Sequence, residues 1–177
     1  MTNLTPVEQK FILHWGEMGA RWGINRTVAQ VHALLFLSPK PLHAEQIQET
    51  LGVARSNVSN SLKELQGWGI VKMVHLAGDR RDHFETMADV FEMFRVVAEE
   101  RKKRELEPTL VMLRECLDEA RQDKATSEHS ARRLGELTGF FELANECHGH
   151  VRDWPTPTLI KLARMAGKLR KLLGLGG

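Results

Sequence analysis

The chain has no tyrosine, two cysteines and a formal charge of only +2 in 177 residues. Nor does it contain 18 consecutive apolar residues. Each shortage excludes something. Without a long apolar run, no segment reads as a membrane-spanning helix, and no membrane partner is expected. Cys116 and Cys147 stand apart from any CxxC pair, so they read as reduced thiols rather than a disulfide framework. The opening "MTNLTPVEQKF" lacks a basic leader followed by an apolar segment. That is not a secretion signal, and a cytoplasmic location is expected.

Bulk charge is equally uninformative. Residues 1–90 hold nine Lys/Arg against nine Asp/Glu, so a case for nucleic acid must rest on where particular cations sit. Catalytic signatures are missing as well. The sequence has no Walker loop, no GxGxxG after a strand, no HExxH and no GxSxG, so no enzyme and no cofactor are expected. The cluster "CHGH" (Cys147, His148, His150) has no matching second pair of ligands. Gly149 there suits a helix C-terminus, and an exposed helix end reads better than a metal site.

What the sequence does contain is helical patterning, in an ordinary mixture of 42% hydrophobic and 27% charged residues. That length allows one domain or two small ones. "TPVE" supplies an N-cap at Thr5, Pro6 in the first turn and a capping-box Glu8. Phe11, Trp15, Met18 and Trp22 follow at helical steps. This stripe has two open readings, an ordinary core and a contact with a second subunit. A second helix is predicted over 25–37 and a third over 44–51, separated by "SPKP". A fourth spans 55–67, and a two-stranded hairpin follows, made of "IVKMVHL" and "HFET" around "AGDRRD".

This order is that of a winged helix-turn-helix. Beyond Asp89 the pattern is all helical. Pro108 is expected to kink or break its helix, and further helices are predicted over 127–147 and 158–173. The expected fold class is mainly α with a small two-stranded β-wing. Residues 1–24 would form an N-terminal dimerisation helix, 25–88 the winged domain and 89–177 a helical dimerisation and effector region.

The fourth helix is unusual. Ser56, Asn57, Ser59, Asn60 and Ser61 together cost about 2 kcal/mol of helix propensity relative to alanine. On a helical wheel Val58, Leu62 and Leu65 form a buried stripe, with Ser56, Asn60 and Lys63 opposite and Ser59 beside them. Arg55 and Asn57 flank the first turn. Solvated helices favour Glu, Lys, Gln and Arg, and capping accounts for one Ser or Asn rather than five. Short hydrogen-bonding groups with cations at their edges suit the DNA major groove. Arg55, Ser56, Asn57, Ser59, Asn60 and Lys63 are therefore the candidate DNA contacts. Arg80 and Arg81 join them from the hairpin tip, where two arginines can enter a minor groove or clamp phosphates. The bland alternative is that Asp79 and Asp82 pair with them on the surface.

"LGVARSNVSNSLKELQGWGIVKMVHLAGDRRDHFET" resembles the MarR-type winged-helix regulators, and more closely their GbsR-like branch, named for the repressor of glycine-betaine synthesis genes. The likeness continues through "ADVFEMFRVVAEERKKRELEPTLVMLREC" and covers roughly residues 5–120. "ARSNVS" and "GDRRDHFE" carry most of it. The resemblance implies a homodimer joined through terminal helices, a palindromic operator, and repression. It also implies an effector, in that branch a choline-like cation held by aromatic rings. Phe91, Phe94, Phe140, Phe141 and Trp154 are the candidate rings, although phenylalanines at helical spacing read more readily as core. No effector pocket is assigned.

One position departs from the family: its usual serine before the recognition-helix arginine is Ala54 here. A helix start without that cap is expected to be looser by about 1 kcal/mol. Two other classes stay open, a winged protein-interaction module and a metal or small-molecule sensor built on the C-terminal helices.

Overall fold

The computed structural model describes residues 4–152 and 154–172, and the chain divides into two compact units, Met1–Val97 and Ala98–Gly177. In the first unit, α1 (Pro6–Arg21) starts at the expected capping box. Glu8 Oε2 accepts from the Thr5 amide at 2.7 Å, and the Thr5 hydroxyl oxygen accepts from the Glu8 amide at 3.3 Å. The face it buries differs from the aromatic stripe. Ile12, Gly16 and Gly19 are buried, Phe11, Trp15 and Met18 are half-buried, and Trp22 is exposed.

The reason is a close crossing with α2 (Arg26–Leu37). A β-carbon on Gly19 would lie 2.5 Å from the Ala29 Cβ, and one on Gly16 would lie 2.7 Å from the Gln30 Cγ. The aromatic residues instead line the flank of that crossing. Phe11 stacks on Trp15 with centroids 5.5 Å apart, and His32 lies between Trp15 and Phe36.

Helix α2 is the centre of the unit: Val28, Ala29, Val31, His32, Ala33, Leu34 and Leu35 are all buried. Around it pack α3 (Ala44–Leu51) through Ile47 and α4 (Arg55–Gly67) through Val58, Leu62 and Leu65. The sheet has three strands, one more than the expected hairpin, in the order β1-β3-β2 and antiparallel throughout. The added strand, β1 (Leu42–His43), is two residues long and pairs with Phe84 and His83 of β3 (Asp82–Thr86). On the other side of β3, β2 (Val71–His75) pairs from Val71↔Thr86 to His75↔Asp82. The loop between them turns at Gly78, whose φ of +83° L-residues with side chains avoid. Helix α5 (Val90–Arg101) buries Met93, while Phe91 and Phe94 are about half exposed.

The second unit contains α6 (Glu107–Gln122), α7 (Glu128–Arg152) and α8 (Thr156–Leu172). Pro108 does not break the helical backbone there. Residues Lys102–Leu106 form a π-helical turn, in which the Glu107 amide donates to the Lys102 carbonyl, and Pro108 falls in the first turn of α6. One extra residue per turn absorbs the missing amide and the ring. Gly149 does not end its helix either. Helix α7 runs on to Arg152, ahead of Pro155, which disfavours helix in the residue before it. The last predicted helix begins two residues earlier than expected, at Thr156. Leu110, Leu113 and Thr138 are buried between α6 and α7, and Arg114 Nε donates to Glu142 Oε1 at 3.0 Å.

Candidate nucleic-acid interface

Helix α4 spans the predicted residues, Arg55–Gly67. Val58, Leu62 and Leu65 are 3% exposed or less and fix the helix on α2. Ser61 is buried with them, so it belongs to the packed side and not to the outer surface. Arg55, Ser56, Asn57, Ser59, Asn60 and Lys63 are all exposed and form one uncovered face.

The start of α4 is open too. Its N-cap is Ala54, which makes no side-chain hydrogen bond, and no acidic residue lies in the first turn. The expected missing cap is thus observed, and no other side chain replaces it. Free amides at a helix start carry partial positive charge. Arg55 Nη2 lies 3.7 Å from Glu45 Oε1 of α3, with the arginine 77% exposed, so this pair leaves the guanidinium accessible.

The two wing arginines differ. Arg80 is exposed and forms no ion pair among the described residues; the same holds for Lys63. Arg81 is held on every side of its fork. Its Nε donates to Asp79 Oδ1 at 2.9 Å, its Nη2 pairs with Asp79 Oδ2, and its Nη1 reaches His43 Nε2 at 2.8 Å. Hydrogen bonds from Arg81 push the Asp79 carboxyl well below the usual carboxylate range, and Asp79 in turn raises Arg81. Surface pairing, the bland alternative, therefore describes Arg81 and Asp79. Asp82 pairs elsewhere, with His75 at 3.8 Å. Lys72 is likewise bridged across the strands to Glu85 at 2.9 Å.

Sequence reasoning overlooked His43 and Glu45. His43 is buried at the start of α3, and Glu45 meets both the His43 ring and Arg55. Glu45 is lowered from the ordinary glutamate range by a hydrogen bond to its own backbone amide, with smaller contributions from His43 and Arg55. The available signal was "LHAEQ", with a histidine at a helix N-cap and a glutamine three residues on.

The candidate effector rings are not assembled into a cage. Phe94 joins Trp15, Trp22, Trp68, Met93 and His32 around a small apolar cavity of about 50 Å³. Phe91, Phe140 and Trp154 are exposed, Phe141 is half-buried, and Phe140 meets Phe141 edge-on at 5.8 Å. Burial pushes His32 down to about 4, and its Nε2 has no hydrogen-bond partner in the chain. Among the described residues no group of three or more His, Cys, Asp or Glu could hold a metal ion. No helix among them is long and apolar enough to cross a membrane.

Residues 22–82 match the family model described as the MarR family. YvaV of Bacillus subtilis (strain 168), a protein assigned as an HTH-type transcriptional regulator, is 24% identical over 94 residues, 53% of this chain and 53% of its own. The chain thus spans about half the length of that curated relative. A solved transcriptional regulator superposes with a TM-score of 0.57 at 18% identity, covering 83% of this chain and 96% of its own. A variant of S. aureus MepR, solved bound to an oligodeoxyribonucleotide, covers 78% and 92% at 15% identity with a TM-score of 0.39. The matched segment contains α2, β1, α3, α4, β2 and the wing tip, and with that agreement of family model and geometry it is a winged helix of the MarR type.

Proposed function

We propose that this chain is a homodimeric DNA-binding transcription regulator that acts as a repressor from the cytoplasm. Each α4 enters one major groove of a (pseudo)palindromic operator, with half-sites about one helical turn apart. The observation that carries this reading is the uncovered face of α4: six residues of short polar or cationic type, all exposed, on a helix whose other side is packed. Asn57 and Asn60 have the donor–acceptor pair that matches adenine, Ser56 and Ser59 can donate or accept, and Arg55 can grip guanine. Lys63 and Arg80 meet phosphate or the minor groove. Arg81 reaches the duplex only by exchanging its His43 contact.

Support for a dimer comes from apolar side chains left in water on the C-terminal helices. Val111, Met112, Leu137, Phe140, Leu143, Leu162 and Met165 are each at least 40% exposed. Burying such a surface against a second copy is the ordinary remedy. The GbsR-like branch remains the closest resemblance of the sequence, and no effector class is proposed.

Mobility shift with genomic fragments at low salt tests the reading, and retardation of a subset of fragments is expected. Combined Arg80→Ala and Arg81→Ala should weaken binding and reduce the salt slope by about two, one for each lost phosphate contact. Unchanged affinity and slope would remove the wing from the interface. A second reading, a winged protein-interaction module, is favoured by one observation: most cations of the winged unit are balanced by neighbouring acids, as in Lys72–Glu85 and Arg81–Asp79. Absence of any retardation at low salt selects it.

A further inference from the structure

The wing is fastened to the body of its unit by a contact that depends on one proton. Arg81 Nη1 lies 2.8 Å from His43 Nε2, across 38 positions of sequence. A guanidinium has donors and no acceptor, so this bond requires a lone pair on Nε2. The other ring nitrogen, Nδ1, lies 2.9 Å from Glu45 Oε2, and an ionised carboxylate only accepts. The single proton of the neutral ring therefore sits on Nδ1. The Gln46 amide, 3.4 Å from that nitrogen, is then an electrostatic neighbour and not a hydrogen-bond donor to it.

A second proton on this ring lands on Nε2 and changes only that side. The Nδ1–H bond to Glu45 persists in both states, so the ring stays in place. What changes is the partner at Nε2, where an imidazolium N–H now confronts a guanidinium. Arg81 is the group that must leave. Its neighbours reinforce the effect. His83 is buried edge-on to His43 at 5.5 Å; its Nδ1 donates to the Arg81 carbonyl at 2.9 Å, and its Nε2 is 3.6 Å from Asp79 Oδ2. Protonation of His83 therefore draws Asp79 away from Arg81. From α4, Arg55 faces Glu45 at 3.7 Å and moderates its pull on the His43 ring.

We propose that His43 is a proton-gated anchor for the wing. The neutral ring holds Arg81 against the start of α3; the protonated ring releases it, freeing a cation and a new imidazolium N–H at the edge of the α4 face. The consequence for a duplex rests on the DNA reading above, whereas the anchor itself does not. Histidine is suited to such a role because its charge changes between about pH 8 and pH 5, where every other partner here keeps its ordinary charge.

The test is an NMR titration of the full chain over that range. Two-bond nitrogen–proton correlation identifies which ring nitrogen carries the proton. The expected result is His43 with Nδ1–H and a bare Nε2 at the alkaline end. The Arg81 Nε–H resonance then shifts with the same midpoint as His43, and that shift is lost in His43→Gln, whose amide oxygen accepts from Arg81 at every pH. An Nε2–H tautomer at the alkaline end, or an Arg81 signal indifferent to His43, overturns the anchor. Fluorescence anisotropy with a random-sequence duplex at fixed salt supplies the second arm. Acidification should strengthen binding of the native chain roughly tenfold more than that of His43→Gln, the worth of one charge-assisted contact. Equal gains in both chains overturn the effect of the anchor on the duplex. Absence of duplex binding at any pH, with Arg81 still following His43, supports the anchor and defeats the DNA reading alone. Duplex binding with Arg81 indifferent to His43 does the reverse.

Discussion

Helices α3 and α4 are consecutive and begin in opposite ways. At the start of α3 the Gln46 side chain accepts from the His43 amide at 3.0 Å, Glu45 supplies a first-turn carboxylate, and the His43 ring reaches across to the wing. At the start of α4 there is an alanine and no acid. Both helices pack on α2 through a few apolar residues. Local bonding completes α3 at its N-terminus, while α4 depends on its buried face and leaves its first amides and its outer side chains uncommitted. The pair teaches that an under-bonded element inside a well-bonded motif is a place where a ligand is expected.

The largest effect should come from the packing that holds α4. Leu65→Ala, at a residue 1% exposed, is expected to cost about 3 kcal/mol by chemical denaturation; a loss under about 1 kcal/mol would mean that α4 is not held by its inner face. Nearly as large is an acid effect from the platform beneath it. His32 is neutral in the fold, with its value lowered to about 4, and the unfolded chain takes up the proton more readily. The stability it confers is complete above the ordinary value of about 6.5 and falls as pH drops toward about 4, by up to about 3 kcal/mol. His32→Leu should flatten that slope, and an unaltered slope would locate the acid response elsewhere.

Smaller changes address the two starts directly. His43→Ala removes the ring bonds to Glu45 and Arg81 and should cost about 1.5 kcal/mol, together with faster amide exchange at the wing tip. Ala54→Ser supplies the missing cap and should stabilise the unit by about 1 kcal/mol; no gain would show that the start of α4 already has a partner. Smallest of all, Ser59→Ala combined with Asn60→Ala should raise stability by roughly 0.5 kcal/mol through helix propensity while weakening duplex binding. A loss of stability instead would mean that the outer face of α4 is held by the fold.

Features that depend on neighbours in sequence were legible; those that depend on distant partners were not. Thr5, Pro6 and Glu8 announce the start of α1, and the spacing of Val58, Leu62 and Leu65 places α4 to the residue. A two-residue strand such as β1 has no period to detect. On α1 four large side chains drew attention from Gly16 and Gly19, whose importance appears only when α2 is laid against them. Pro108 is unreadable for another reason, since a π turn can absorb a proline that an α-helix cannot. In the site, the α4 face could be read because all its members lie on one helix. The capture of Arg81 could not, because His43 enters from 38 residues away.

The shortest strand has a mechanical meaning. Leu42 and His43 hydrogen-bond along β3 while directly preceding the first turn of α3, so one backbone ladder joins the recognition motif to the base of the hairpin. A displacement of the Pro39–Pro41 stretch is delivered to the hairpin through that ladder as a lever stroke, with no helix required to bend.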